Sequence, residues 1–398
     1  MRGRPAFLVV LLLLLTSCTD DPEPSPSPTP GTQVVAGYFT EWGVYGRGFR
    51  VKNLQDSGSA GRLTHLKYAF GKVDGGKCSV GDQWAAYRKP ITAADSVDGV
   101  ADAPADVLKG SFGQLRKLKA THPDLKVLWS FGGWSGSAGF TAAARDPEAF
   151  AESCRALLRD PRWAGLFDGI DVDWEYPNAC GVVCDTSGPS ALTATLAALR
   201  ASFGASALIT AAVPGDVGKL RVTDYASASR YADWLGAMTY DYFGASSGSK
   251  DLRTAAHSAL TPYPGIPRTA ATTEATVTEL IALGVPAAKL LIGVGFYGRG
   301  WTGVDAAEPG ATATGPAPGK YGKGIEDYHV LADRCPPTGT AGGQAYARCG
   351  AQWWSYDTPE TIASKVDFAQ QQGLGGLFAW ELSGDTPDAA LVKALSRS

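Results

Sequence analysis

Asp171, Asp173 and Glu175 occupy every second position of the run Asp168-Gly169-Ile170-Asp171-Val172-Asp173-Trp174-Glu175-Tyr176-Pro177. Alternate side chains of a strand point to opposite faces. The three carboxylates therefore share one face of a strand, and Ile170, Val172 and Trp174 share the other. Carboxyl groups crowded on a core strand repel one another and lose solvation, and both effects raise their pKa values. At least one of the three is expected to hold a proton at neutral pH. Folding alone gives no reason to keep such an arrangement, whereas a proton donor beside charged neighbours is what general acid–base chemistry needs. Two plainer readings compete, a solvated edge strand and a divalent-metal site. The acid–base reading is the stronger.

Those residues need a scaffold, and the chain supplies a repeating one. Short apolar runs predict strands at Val34–Thr40, His65–Phe70, Lys126–Gly133, Gly169–Glu175, Leu208–Pro214, Trp234–Asp241, Leu290–Tyr297 and Gly375–Leu382. Between them lie segments with apolar residues at helical spacing, at Ser111–Thr121, Pro147–Leu158, Ser190–Phe203, Thr273–Leu283 and Thr358–Gln371. Continuous apolar strands alternating with amphipathic helices imply a parallel sheet covered by helices. Eight such units, with no G-x-G-x-x-G after the first strand, predict a closed α/β (β/α)8 TIM barrel rather than an open doubly wound sheet. In that fold chemistry sits at the C-terminal ends of the strands. Tyr38, Phe70, Trp134, Glu175, Tyr240-Asp241-Tyr242, Tyr297 with Arg299, and Trp380-Glu381 all fall there, with Glu175 read as the last residue of the fourth strand.

The acidic run also carries a resemblance. Asp168, Asp171, Asp173 and Glu175 reproduce the D-x-x-D-x-D-x-E signature of glycoside hydrolase family 18, the chitinases and their relatives. Ser130-Phe131-Gly132-Gly133-Trp134 is similar to that family's S-x-G-G motif, and Met238-Thr239-Tyr240-Asp241-Tyr242 to its sixth-strand motif. Phe296-Tyr297-Gly298-Arg299-Gly300-Trp301 and Phe378-Ala379-Trp380-Glu381-Leu382 resemble the seventh and eighth. The likeness runs from Val34 to Asp385 and implies the same barrel. Residues 302–353, Gly/Pro-rich and between the seventh strand and its helix, stand where many relatives carry a small α+β insertion; a shorter one is expected here.

The resemblance implies hydrolysis of β-1,4-linked N-acetylglucosamine with retention, the substrate's own acetamido oxygen acting as nucleophile. Such substrate assistance is a recognised exception among retaining glycosidases. Glu175 is then the general acid and base, with its pKa raised by the neighbouring Asp173. Asp173 orients the acetamido N–H with Asp171 behind it, and Tyr240 binds the acetamido carbonyl. Asp241, Trp380, Trp134, Tyr38, Phe70, Met238, Tyr297, Arg299 and Tyr176 are the implied substrate-binding residues. Each has a plainer role to set beside this one. Tyr240 or Trp380 would serve as core, Asp241 as a helix cap, Trp134 as a surface aromatic, and Gly132 and Gly133 as a tight turn; Tyr176 has no assigned direction. Two other functions stay open, an endo-β-N-acetylglucosaminidase on glycan or cell-wall substrates and a chitin-binding lectin. Lectins of this kind typically lack the acid that Glu175 supplies.

The start of the chain reads as an address. Arg2 and Arg4, an apolar run from Ala6 to Leu15 and then Leu15-Thr16-Ser17-Cys18 predict an export signal over residues 1–17 and a lipidated Cys18. A Pro/Ser/Thr-rich spacer to residue 33 then holds a catalytic domain, residues 34–398, off the membrane. The expected location is extracellular, tethered to the outer face of the cell membrane or secreted, with lipid the sole link to a membrane. A net charge of −3 with no basic run argues against nucleic acid as a partner. The chain is expected to act as a monomer on a chitin chain or chito-oligosaccharide. Beyond Cys18, six cysteines in an exported protein suggest up to three disulfides. Cys180 with Cys184 and Cys335 with Cys349 are local candidates, which would leave Cys78 with Cys154, though fifteen arrangements are possible. His65, His122, His257 and His329 are scattered without ligand spacing, so no metal and no cofactor are expected.

Overall fold

A computed structural model of the protein describes residues 33–245 and 252–397. The export signal, Cys18 and the spacer to residue 32 lie outside the described residues. Among those described, eight parallel strands close into a barrel: β1 (Val34–Thr40), β2 (His65–Asp74), β3 (Lys126–Gly132), β4 (Gly169–Asp173), β5 (Leu208–Pro214), β6 (Trp234–Met238), β7 (Leu290–Gly295) and β8 (Gly376–Trp380). Closure is through β1, which pairs with β8 (Val34 beside Gly376) and with β2 (Tyr38 beside Lys67). β1, β3, β4 and β7 are buried on both faces almost throughout, the two aspartates of β4 included.

Helices α1 (Gly110–Thr121), α2 (Pro147–Leu158), α3 (Ala191–Phe203), α4 (Thr273–Ala282) and α5 (Pro359–Gln371) cover the barrel where helical spacing placed them. Their starts follow from local chemistry. Asp146 caps α2 by accepting from the Ala149 N–H, with Pro147 in the first turn. Thr358 and Thr361 cap α5 reciprocally, each side chain accepting from the other's backbone N–H. Between barrel and helices, Trp129, Trp163, Phe112 and Ile170 belong to one apolar core.

Several strands end earlier, or run on further, than their apolar runs suggest. β4 stops at Asp173, so Glu175 sits two residues past the strand rather than closing it. β6 stops at Met238 and β7 at Gly295. Tyr297 opens a second strand, Tyr297–Thr302, that leaves the barrel. β2 instead runs on to Asp74, slipping register between Ala69 and Gly71 before it turns into a hairpin with Lys77–Ser79. Each shift comes where the chain turns out over the barrel mouth and strand pairing no longer dictates its course.

The Gly/Pro-rich insertion is built of regular elements. Tyr297–Thr302, Gly315–Pro316, Ile325–Asp327, Gly339–Ala341, Gln344–Cys349 and Gln352–Tyr356 form an antiparallel sheet, with a helix at Tyr328–Arg334. Trp301 and Trp353 meet edge to face at 5.4 Å in a core of their own. Disulfides join Cys78–Cys154, Cys180–Cys184 and Cys335–Cys349, the pairing that locality favoured. Among the described residues no helix is long and apolar enough to cross a membrane, and no group of three His, Cys, Asp or Glu could hold a metal ion.

Candidate active site

The alternation along β4 is kept. Ile170 and Val172 enter the outer core, and Trp174 stacks on Phe140 at 5.2 Å. Asp171 and Asp173 point the other way, into the barrel, 0% and 5% exposed. Glu175 follows on that side, and its backbone N–H donates to Ser137 Oγ at 2.8 Å. Two glycines at the end of β3 make room. A Cβ on Gly132, at φ 109°, would stand 2.2 Å from the Asp173 carbonyl oxygen, and one on Gly133, at φ 80°, 2.4 Å from the Phe70 ring. The Gly133 N–H donates to that same carbonyl at 2.8 Å.

Asp171 is saturated. Its Oδ2 accepts from Tyr38 Oη at 2.8 Å and Ser130 Oγ at 2.7 Å, and its Oδ1 from Lys67 Nζ at 2.8 Å and from the Thr210 hydroxyl. Strand register explains the meeting, since Tyr38 pairs with Lys67, Ser130 with Asp171 and Asp171 with Thr210. Burial alone would raise the Asp171 pKa. The Lys67 charge and the hydrogen bonds outweigh it and hold the carboxyl below its ordinary range. Lys67→Met would strand this charge, and breaking a buried pair costs about 3–5 kcal/mol. Thermal unfolding should show a correspondingly lower Tm, with Ser130→Ala milder because it removes one neutral donor of four.

Asp173 is the opposite case. Its Oδ1 is buried with no hydrogen-bond partner. Burial first, then the charges of Glu175 and Asp171, push its pKa well up. Glu175 is raised from 4.5 to about 7, chiefly by burial, with Asp241 adding and Tyr176 and Lys219 opposing. Desolvation, more than a neighbouring carboxylate, thus holds the proton expected from the sequence. Asp173 and Glu175 titrate as a pair, and between them at least one proton stays at neutral pH.

Around this pair stand the residues expected at the strand ends. Tyr240, in the loop after β6, has its hydroxyl pushed up by burial and then by Tyr297, Asp173, Glu175 and Asp241. A Cβ on Gly293 would lie 2.6 Å from its ring, so β7 is notched to admit it. Asp241 begins no helix. At φ 60° its carboxylate accepts from Tyr297 Oη at 2.8 Å and from Arg299 Nε and Nη2 at 2.7 and 2.6 Å. Although its side chain is 39% exposed, desolvation in the cleft opposes its charge; Arg299 prevails and lowers its pKa.

Trp380 forms a floor, stacked near Phe70 at 5.6 Å and edge-on to Tyr38 at 5.2 Å. Met238 packs against the Tyr38–Phe378 cluster beneath. On the far side of Glu175, Trp134 is 56% exposed, and Tyr176 lies edge-on to it at 6.4 Å with Lys219 Nζ 3.7 Å above its ring. Tyr176 therefore faces the Trp134 side.

The structure adds residues to this group. Lys67, Thr210 and the hydroxyl of Ser130 hold Asp171, Ser137 holds the Glu175 backbone, and Trp42, 43% exposed, lies 6.4 Å from Trp380. Trp42 lies two residues past the first strand, a signal available in the sequence. Asp168, the first acid of the run, stands apart at the opposite strand end, bound to Lys119 Nζ at 2.6 Å and to the Val127 N–H at 2.7 Å.

A family model described as glycosyl hydrolases family 18 matches residues 34–385, the span marked out by the motifs. Chitinase C of Streptomyces lividans is 59% identical over 360 residues, covering 89% of this chain and 58% of that protein. Chitinase 63 of Streptomyces plicatus is 57% identical over 369 residues, covering 92% of this chain and 60% of that protein. The chain thus spans less than two thirds of the length of these relatives. Among solved structures, the catalytic domain of the psychrophilic chitinase B from Arthrobacter TAD20 matches with a TM-score of 0.86 at 33% identity. That match covers 92% of this chain and 94% of the other.

Proposed function

The chain belongs to glycosyl hydrolases family 18, and from that membership we propose that it is a chitinase, cutting β-1,4-linked N-acetylglucosamine chains by substrate-assisted retaining catalysis. The observation that carries this reading is the unpartnered Asp173 Oδ1 beside a proton-holding Glu175. An orphaned buried carboxyl oxygen is costly unless a ligand completes it, and an acetamido N–H is a donor of the right kind.

In the first step Glu175 gives its proton to the glycosidic oxygen as the C1–O bond breaks. The acetamido carbonyl oxygen forms the new bond to C1, giving an oxazolinium ion. Asp173 accepts the acetamido N–H through its unpartnered Oδ1, and that hydrogen bond strengthens as positive charge grows on the acetamido group. Tyr240 donates to the acetamido oxygen and aligns it for attack, which removes rotational freedom before the barrier is climbed. Trp380 supports the sugar ring by apolar contact, and Asp241, fixed by Arg299 and Tyr297, offers a positioned acceptor. In the second step the Glu175 carboxylate takes a proton from water, whose oxygen bonds to C1 on the face the leaving group left as the bond from C1 to the acetamido oxygen breaks and the neutral acetamide is restored.

Comparing N-acetylated chitin with fully deacetylated chitosan tests the reading. The acetylated chain should be cut and the deacetylated one left whole; release of oligomers from the latter would rule out substrate assistance. Cleavage of glycoprotein glycans with none of chitin oligomers would favour the endo-β-N-acetylglucosaminidase alternative.

Glu175 also sets the pH response. With its pKa raised to about 7, kcat/KM should fall as pH rises through that value, because the acid loses its proton. The Lys219 charge lowers that pKa, so Lys219→Met should move the alkaline limb upward; a limb that stays put in initial-rate profiles would remove Lys219 from this role.

The export reading is proposed alongside, with Cys18 lipidated and the domain held outside the cell. Incorporation of labelled palmitate should be lost in Cys18→Ala, and equal labelling of both would contradict it.

A further inference from the structure

Between the Glu175 carbonyl and the Trp134 ring lies a loop that the chemistry above does not use. Cys180 and Cys184, Cα atoms 3.8 Å apart, are joined across only 4 residues, against 14 and 76 for the other disulfides. The smallest ring removes the least freedom from the unfolded chain, so this bridge acts mainly on the shape of the folded loop. Inside it the Gly181 N–H donates to the Val183 carbonyl at 3.2 Å. A Cβ on Gly181 would stand 2.3 Å from the Glu175 carbonyl oxygen and 3.6 Å from the Trp134 ring. Beneath, Asp185 accepts from the Asn178 N–H, Thr141 Oγ1 and Ser187 Oγ at 2.8, 2.8 and 2.7 Å.

The tip of this braced loop is apolar and uncovered. Val182 and Val183 are 59% and 53% exposed, next to Trp134 at 56%. Together with Glu175 and Tyr176 they line one depression. Single exposed valines are ordinary. Two on a disulfide-tied rib that prolongs an exposed tryptophan make a continuous apolar surface. Its place follows from the proposed chemistry, since the sugar that is attacked lies over Trp380 and beside Asp173. Glu175 and Trp134 line a depression that Trp380 and Asp173 do not enter, so the group that Glu175 protonates departs toward Trp134.

We propose that Val182 and Val183 extend the Trp134 platform and contact the apolar faces of the sugars on the leaving-group side, so that the tied loop determines how many units are held there. The inference rests on the chitinase reading above. Sugar rings present C–H faces that aliphatic side chains cover as aromatic ones do, and the bridge keeps the rib from folding away.

The test compares N-acetylglucosamine hexamer with an aryl di-N-acetylchitobioside, whose leaving group is too short to pass Trp134. In Val182→Ser/Val183→Ser, the ratio of kcat/KM for hexamer to that for the aryl glycoside should fall about tenfold, the scale of losing part of an apolar contact. The cut positions in the hexamer should shift with it. Cys180→Ser/Cys184→Ser, which frees the rib without changing its tip, should shift the same ratio in the same direction. An unchanged ratio and product pattern in the folded double-serine tip variant would overturn the proposal. Wild type that cuts neither substrate would overturn the chitinase reading, and this inference with it.

Discussion

Glu175→Gln should lower the rate of chitin-oligomer hydrolysis by about 10³-fold or more, since a positioned general acid contributes 10²–10⁴ and Glu175 acts in both steps. Glutamine keeps the shape and the carbonyl acceptor but has no proton to give. The carboxyl is raised to about 7, chiefly by burial, so the lost group is one that carries its proton below neutral pH. Binding should survive, because the contacts of Trp380, Tyr240 and Asp241 are made by other elements. Isothermal titration with N-acetylglucosamine hexamer would read this directly. A folded variant that neither cuts nor binds would take Glu175 out of the acid role and make it a binding residue.

Asp173→Asn should slow turnover by about 10²–10³-fold, the range seen when a preorganised electrostatic partner of a developing charge is removed. The carboxyl is buried, its Oδ1 has no partner, and it is flanked by Asp171 and Glu175. Asparagine cannot take on negative charge as the oxazolinium forms. It also leaves Glu175 without its neighbouring carboxyl, so the pH profile should change shape as well as height. Near-normal kcat with an unchanged profile would remove Asp173 from the mechanism.

The barrel was legible because its strands are continuous apolar runs, and strands such as Val34–Thr40 and Leu208–Pro214 end where those runs end. The strand ends that build the site were harder to read. Trp174 and Phe296-Tyr297 remain aromatic after the chain has left the ladder, since the cleft mouth itself is lined with such residues. The insertion sheet was hidden for a different reason. Several of its strands run to only two or three residues, as at Gly315–Pro316, Ile325–Asp327 and Gly339–Ala341, too short to show a period.

The acids of the site were legible from one stretch, while their partners were not. Lys67, Ser130 and Thr210 meet Asp171 from three other strands, and only the barrel's register brings them into one layer. The source of the Glu175 shift was also out of reach. Spacing predicts a neighbouring carboxylate, whereas the extent of burial depends on how Tyr176, the loop of Cys180 and the Gly132-Gly133 turn close around it.

Following the anomeric form of the first products by proton NMR, with wild-type protein and N-acetylglucosamine hexamer, tests the central claim most directly. Substrate assistance places two inversions at C1, so the newly formed reducing ends should be β at early times and drift to α only by mutarotation. New reducing ends that are α from the first spectra would mean a single direct displacement by water, and would contradict the roles given to Asp173 and Tyr240.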